Sequence, residues 1–226
     1  MPALSALLAQ LGPLLALDAA SAAVQVGVLR PGQPACWERG EGDATSALFG
    51  GTATALAAAG LAVGDIRGFV FCEGPGSMLG IRTVAMALRT WQVLQPRPAF
   101  AYRSLAVAAR HEWARRPRDF AVIADARRDS WHVQPIDASG RLGPPRRVAT
   151  AELPGGELLA PENFRAWSAP PRALATCPYD VGAILDGLGE ADVFRAVDAP
   201  DAFQPEAPEY RKWSAQVHSA ATAPRR

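Results

Sequence analysis

The chain has 226 residues, with 23 Lys and Arg against 22 Asp and Glu, for a formal charge of +1. Its 49 % hydrophobic and 20 % charged residues suit a globular protein large enough to bury a substantial core. Neutral balance excludes a chain that coats nucleic acid by bulk charge, and the three scattered cysteines Cys36, Cys72 and Cys177 exclude a disulfide framework.

Residues 1–23 are apolar and end in Ala20-Ser21-Ala22, which could pass for a secretory cleavage site. A signal peptide needs a basic start and an uninterrupted apolar stretch. Here no cation precedes Arg30 and Asp18 breaks the run, so the segment reads as a short leader followed by a buried strand. No other stretch reaches about 18 uncharged apolar residues, so no membrane span is expected, and the expected location is cytoplasmic.

Residues 14–17 form a short apolar strand ended by Asp18, and the alternation of Val24, Val26 and Val28 predicts a half-buried second strand. Pro31-Gly32 turns it into a third strand near residues 35–39. Asp43 or Thr45 can cap a helix over 46–59, closed by Gly60. A buried strand is predicted at 66–72. The glycine loop Gly74-Pro75-Gly76-Ser77 then leads into a long helix to about residue 94. A short strand and a helix over 104–115 follow.

The opening pattern then recurs. Residues 120–124 run into Asp125, and after a polar corner a strand over 131–136 ends at Ser139-Gly140. Asp18 to Val24 and Asp125 to Trp131 have the same spacing, which predicts a duplicated α/β unit, although two similar hairpins can also arise by chance. Beyond Thr150 the chain is Pro-rich, with only short helices expected, such as 181–188, and Pro200, Pro205 and Pro208 make the tail irregular. The expected division is a first lobe over 1–102 and a second over 103–226.

The densest motif is Cys72-Glu73-Gly74-Pro75-Gly76-Ser77-Met78-Leu79-Gly80-Ile81-Arg82. A glycine loop between strand and helix invites a phosphate reading. The specific versions fail: Gly80 is followed by Ile81-Arg82 instead of Lys-Ser/Thr, and the glycines fall at the wrong places for a dinucleotide fingerprint. A nucleophile elbow would need a second flanking glycine near Ser77. The alternative is mechanical. Gly76, Gly80, Thr83 and Ala87 share one helix face, and Ala47, Gly51, Thr54 and Ala58 share another on the preceding helix. Such smooth faces admit another backbone closely, either a partner's or each other's within one domain. Ile81, Val84, Leu88 and Trp91 lie on a different stripe, directed at the core.

Catalytic constellations are thin. His111, His132 and His218 show no metal-site spacing, and Cys72 reads as a small buried hydrophobe. Asp18 and Asp125 are the best acid candidates, as strand-end aspartates that can orient a metal-bound water; a turn or cap role is the alternative.

Residues 15–21 (Leu-Ala-Leu-Asp-Ala-Ala-Ser), the glycine motif over 74–82, and Asp125-Ala126-Arg127 together resemble the TsaB (YeaZ) family of tRNA threonylcarbamoyladenosine biosynthesis proteins. Pro208-Glu209-Tyr210-Arg211 is similar to that family's closing motif. The resemblance implies an α/β, actin-like and Hsp70-like ATPase fold of two similar lobes. It implies a non-catalytic scaffold that docks a TsaD-type catalytic subunit through first-lobe helices and works with a TsaE-type ATPase. The product is N6-threonylcarbamoyladenosine at tRNA position 37. ATP and Mg would belong to the complex, tRNA would be met only through it, and a homodimer is a further option. Asp18, Ser21 and Asp125 would be vestigial nucleotide-site residues, with Ala47, Gly51, Thr54, Ala58, Gly76, Ser77, Gly80, Thr83 and Ala87 at the interface. The turns after the two aspartates hold no glycine, which disfavours an ATP-dependent kinase or ATPase of the same fold; a peptidase would need a histidine brought near Ser77 or Cys72. The family's first-helix His-Ser is absent, and Ser77-Met78-Leu79-Gly80 replaces Ser-Phe-Thr-Gly. These departures lie on the expected interface, so altered partner recognition or self-pairing is expected.

Overall fold

The computed structural model describes residues 2–170 and 172–203; the closing motif at 208–211, Pro205 and His218 lie outside them. The first lobe opens with α1 (Leu4–Leu11), then β1 (Leu14–Asp18), β2 (Val24–Arg30) and β3 (Gln33–Gly40). After these come α2 (Ala44–Ala59), β4 (Gly68–Gly74), α3 (Met78–Leu94), β5 (Ala99–Arg103) and α4 (Ser104–Arg115). The second lobe has β6 (Phe120–Asp125), β7 (Ser130–Ile136), β8 (Arg146–Ala149), β9 (Leu158–Pro161), β10 (Ala175–Cys177) and α5 (Val181–Gly187), after which comes β11 (Arg195–Val197).

The duplication is real. The first sheet runs β11-β5-β4-β1-β2-β3 and the second β10-β9-β6-β7-β8. Apart from β11, the two orders are the same, with antiparallel hairpins on one side and parallel crossovers on the other. The crossovers differ. In the first lobe, α2 and α3 connect β3 to β4 and β4 to β5; between β8 and β9 there is only a 3-10 turn, and among the described residues no helix lies between β9 and β10. α5 follows β10 as α4 follows β5, and these two helices pack on each other between the sheets.

Alternation along β1 separates two cores. Leu14 and Ala16 face the shared core between the lobes, with Val70, Tyr102, Leu105, Val122 and Ile184. Leu15 and Leu17 face the layer under α2 and α3, with Val26, Leu48, Val84 and Leu88. Fully burying one such aliphatic side chain contributes about 1.5–3 kcal/mol.

Two expectations are corrected. Residues 4–11 are not a leader: they form a helix whose Leu4 and Leu7 are buried in the shared core, with Ser5 Oγ donating to Glu190. Nor does the chain divide once at residue 103, because β11 returns to the first sheet and pairs with β5 antiparallel. α2 begins at Ala44 on an Asp43 cap and ends at Gly60, which is left-handed (φ 67°), as glycine tolerates best.

Candidate functional site

β1 delivers Asp18 to the corner where the lobes meet, and the carboxylate is completely buried. Oδ1 accepts from the Ala20 amide at 2.8 Å, while Oδ2 accepts from Tyr102 at 2.7 Å and from Tyr179 at 2.8 Å. Burial raises its pKa, against the lowering effect of the Ala20 amide and the two hydroxyls. Burial, and then the charge of Asp18, push the Cys72 thiol well above its ordinary range, so it is a poor nucleophile. Ser21 is spent locally: its hydroxyl donates to the Ala23 carbonyl and accepts from the Ala23 amide.

The glycine loop is packed onto this same corner. A Cβ on Gly80 would overlap the Ala19 carbonyl oxygen, and one on Gly76 the Ala20 carbonyl oxygen. Ser77 donates its amide to Ala20 O at 2.7 Å, and its hydroxyl caps α3 by accepting from Gly80 N. Ala22 donates to Asn163 O of the second lobe at 2.8 Å. The amides of Ala20, Ala22, Ser77 and Gly80 are thus engaged within the chain.

Asp125 has a similar fate. It accepts from the amides of Arg127, Trp167 and Ser168, while the Arg127 guanidinium lies 4.4 Å from the centre of the Trp167 ring. Burial raises its pKa, but the Ser168, Arg127 and Trp167 amides outweigh it, for a net lowering. Arg127, Arg128 and Asp129 are consecutive left-handed residues, a run that would strain any side chain but suits glycine. Clefts of about 480, 320 and 490 Å³ occur elsewhere, and none is lined by Asp18, Ser21 or Asp125. Among the described residues, no group of three or more His, Cys, Asp or Glu side chains could hold a metal ion, and no helix is long and apolar enough to cross a membrane.

The expectation that two smooth helix faces stand open to a partner needs correction. Gly80 and Ala87 are buried, and the Gly76 Cβ direction is closed by Ala20. Ala47 and Gly51 pack on the first sheet, next to Gly40 and Val26. Their small size serves close approach inside the chain. Thr54 and Ala58 are exposed, and Thr83 is half-buried with its hydroxyl on Leu79 O. Ile81, Val84 and Leu88 do enter the core.

What the outer surface of α2 and α3 does present was not anticipated. Leu79 is 75 % exposed, Met86 58 % and Val93 85 %; on the helix they form one stripe with Thr83 and Thr90. Leu94 and Met78 extend it, and Phe49 of α2 is half-exposed and edge-on to Trp91 with ring centres 6.0 Å apart. α2 carries no charged residue over its 16 positions. A contiguous apolar surface of this kind marks an interaction site, whereas scattered exposed hydrophobics do not. The signal in the sequence was the presence of Met78, Leu79, Met86 and Val93 outside the core stripe of Ile81, Val84 and Leu88.

No family model and no curated sequence matches the chain. Among solved structures, YeaZ from Pseudomonas aeruginosa superposes with a TM-score of 0.61 at 20 % identity, over 79 % of this chain and 91 % of that one. The chain has the YeaZ fold. A second structure agrees, described as an uncharacterized protein with similarity to peptidase YEAZ from Pseudomonas aeruginosa; its TM-score is 0.62 at 20 % identity, over 88 % of this chain and 99 % of that one. The two-lobed α/β architecture implied by the resemblance to TsaB (YeaZ) is thus the observed one, and both neighbours are spanned almost completely.

Proposed function

We propose that this chain is a non-catalytic partner subunit that docks a TsaD-type catalytic subunit through the outer surface of α2 and α3. The complex makes N6-threonylcarbamoyladenosine at tRNA position 37 with the help of a TsaE-type ATPase. ATP and Mg belong to that assembly, and tRNA is met through it. The observation that carries the reading is the apolar, acid-free α2–α3 surface on a YeaZ fold, anchored by Leu79, Met86 and Phe49. Supporting a non-catalytic role, Asp18 and Asp125 are spent on hydrogen bonds within the chain, and Ser77 serves as a helix cap.

The test is reconstitution. Threonylcarbamoyl transfer to tRNA by the TsaD-type and TsaE-type subunits should require this chain and should fall away with Met86→Glu. ATP turnover by the chain alone would instead favour a kinase or ATPase of the same fold.

A further inference from the structure

The α2–α3 surface carries a charge pattern as well as an apolar one. Arg82 is exposed on α3 between Leu79 and Met86 and makes no hydrogen bond or ion pair with any described residue. Arg89, one edge over, is already spent on Pro200 O at 2.7 Å and Asp201 at 3.0 Å. Neither helix contains an acidic residue, and the sequence has none between Glu73 and Glu112. The nearest acid at the start of α2, Asp43, has its carboxylate on the Ser46 amide.

Resting on the docking reading above, we infer that this surface is built for a different chain that presents a carboxylate opposite Arg82, and not for a second copy of itself. In any register of self-packing confined to these two helices, Arg82 meets apolar, hydroxyl or cationic side chains and the neutral amide of Gln92, and never a carboxylate. A guanidinium desolvated without a counter-ion is costly. A partner carboxylate turns that cost into a charge-assisted, bidentate hydrogen bond and fixes the docking register. The apolar stripe supplies contact area, and Arg82 supplies the choice of partner.

The experiment titrates the TsaD-type subunit of the same organism against wild-type, Arg82→Ala, Arg82→Glu and Met86→Glu chains at low and high salt, with sedimentation of each chain alone. Arg82→Glu should weaken binding by more than about tenfold, and Arg82→Ala should lose much of the salt dependence seen with wild type. Arg82→Glu binding as wild type while Met86→Glu fails leaves the docking surface in place and overturns the charge assignment. A wild-type chain that dimerises alone and becomes monomeric with Met86→Glu overturns it as well. If no variant, wild type included, binds, the docking reading itself falls and takes the inference with it.

Discussion

The Tyr179 hydroxyl, from the second lobe, donates to Oδ2 of Asp18, at the end of the first lobe's opening strand, at 2.8 Å. Nearby, the Gln25 amide group donates to Tyr179 O at 3.3 Å and accepts from the Val181 amide at 2.9 Å. These buried bonds tie the lobes together at the corner where β1 ends.

Removing Asp18 should therefore cost stability. Asp18→Ala leaves two tyrosine hydroxyls and the Ala20 amide without their acceptor in a buried site, a loss of about 3–5 kcal/mol. Tyr179→Phe removes one donor and should cost about 1–2 kcal/mol. Urea denaturation measures both; an Asp18→Ala midpoint equal to wild type would refute the lobe-locking role.

Gly80→Ala should also destabilise the fold. Its added methyl would overlap the Ala19 carbonyl, and backbone must move to admit it, at a cost of about 1–3 kcal/mol. Gly50→Ala on α2, where a Cβ meets open space, should instead stabilise by up to about 1 kcal/mol. Thermal unfolding of the pair checks the sign of each effect.

The acid limb of stability should carry the mark of Asp125. Its folded pKa lies below the ordinary 3.8, so the stabilisation it gives is present above that value and is lost as pH falls through the folded pKa. Asp125→Asn should remove this contribution and loosen the segment it anchors at Trp167 and Ser168. Limited trypsin digestion at the exposed Arg165 should be faster for the variant at pH 7, and the stability difference between variant and wild type, followed by urea denaturation, should narrow as pH falls through the folded pKa.

Much of the frame was legible in the sequence because it rests on local rules. The Asp43 and Gly60 caps of α2 and the repeat of strand, aspartate and hairpin around Asp18 and Asp125 held; the alternation of Val24, Val26 and Val28 marked a strand, but β2 is buried on both faces and not half-buried as expected. The short strands β8 to β11 and the return of β11 to the first sheet were not legible. Three- and four-residue strands carry no period, and their pairing is decided by distant partners. The site divided along the same line. Gly80 and Gly76 announced a close approach, but a sequence cannot say whose backbone approaches; the answer was Ala19 and Ala20 of the same chain. The exposed stripe of Leu79, Met86 and Val93 was hidden because it is interleaved with Arg82, Thr83 and Thr90, so the outer face of α3 reads as polar beside the buried Ile81, Val84 and Leu88.

The most direct test of the central claim is light scattering after size-exclusion chromatography, with the TsaD-type subunit mixed with wild-type, Met86→Glu and Leu79→Ser chains. Both positions are exposed, so each variant should keep its folding stability within about 0.5 kcal/mol. The account predicts a one-to-one complex for wild type that is lost or greatly weakened in both variants. A complex that survives both substitutions, or a wild-type chain that never joins the TsaD-type subunit, would contradict docking through α2 and α3.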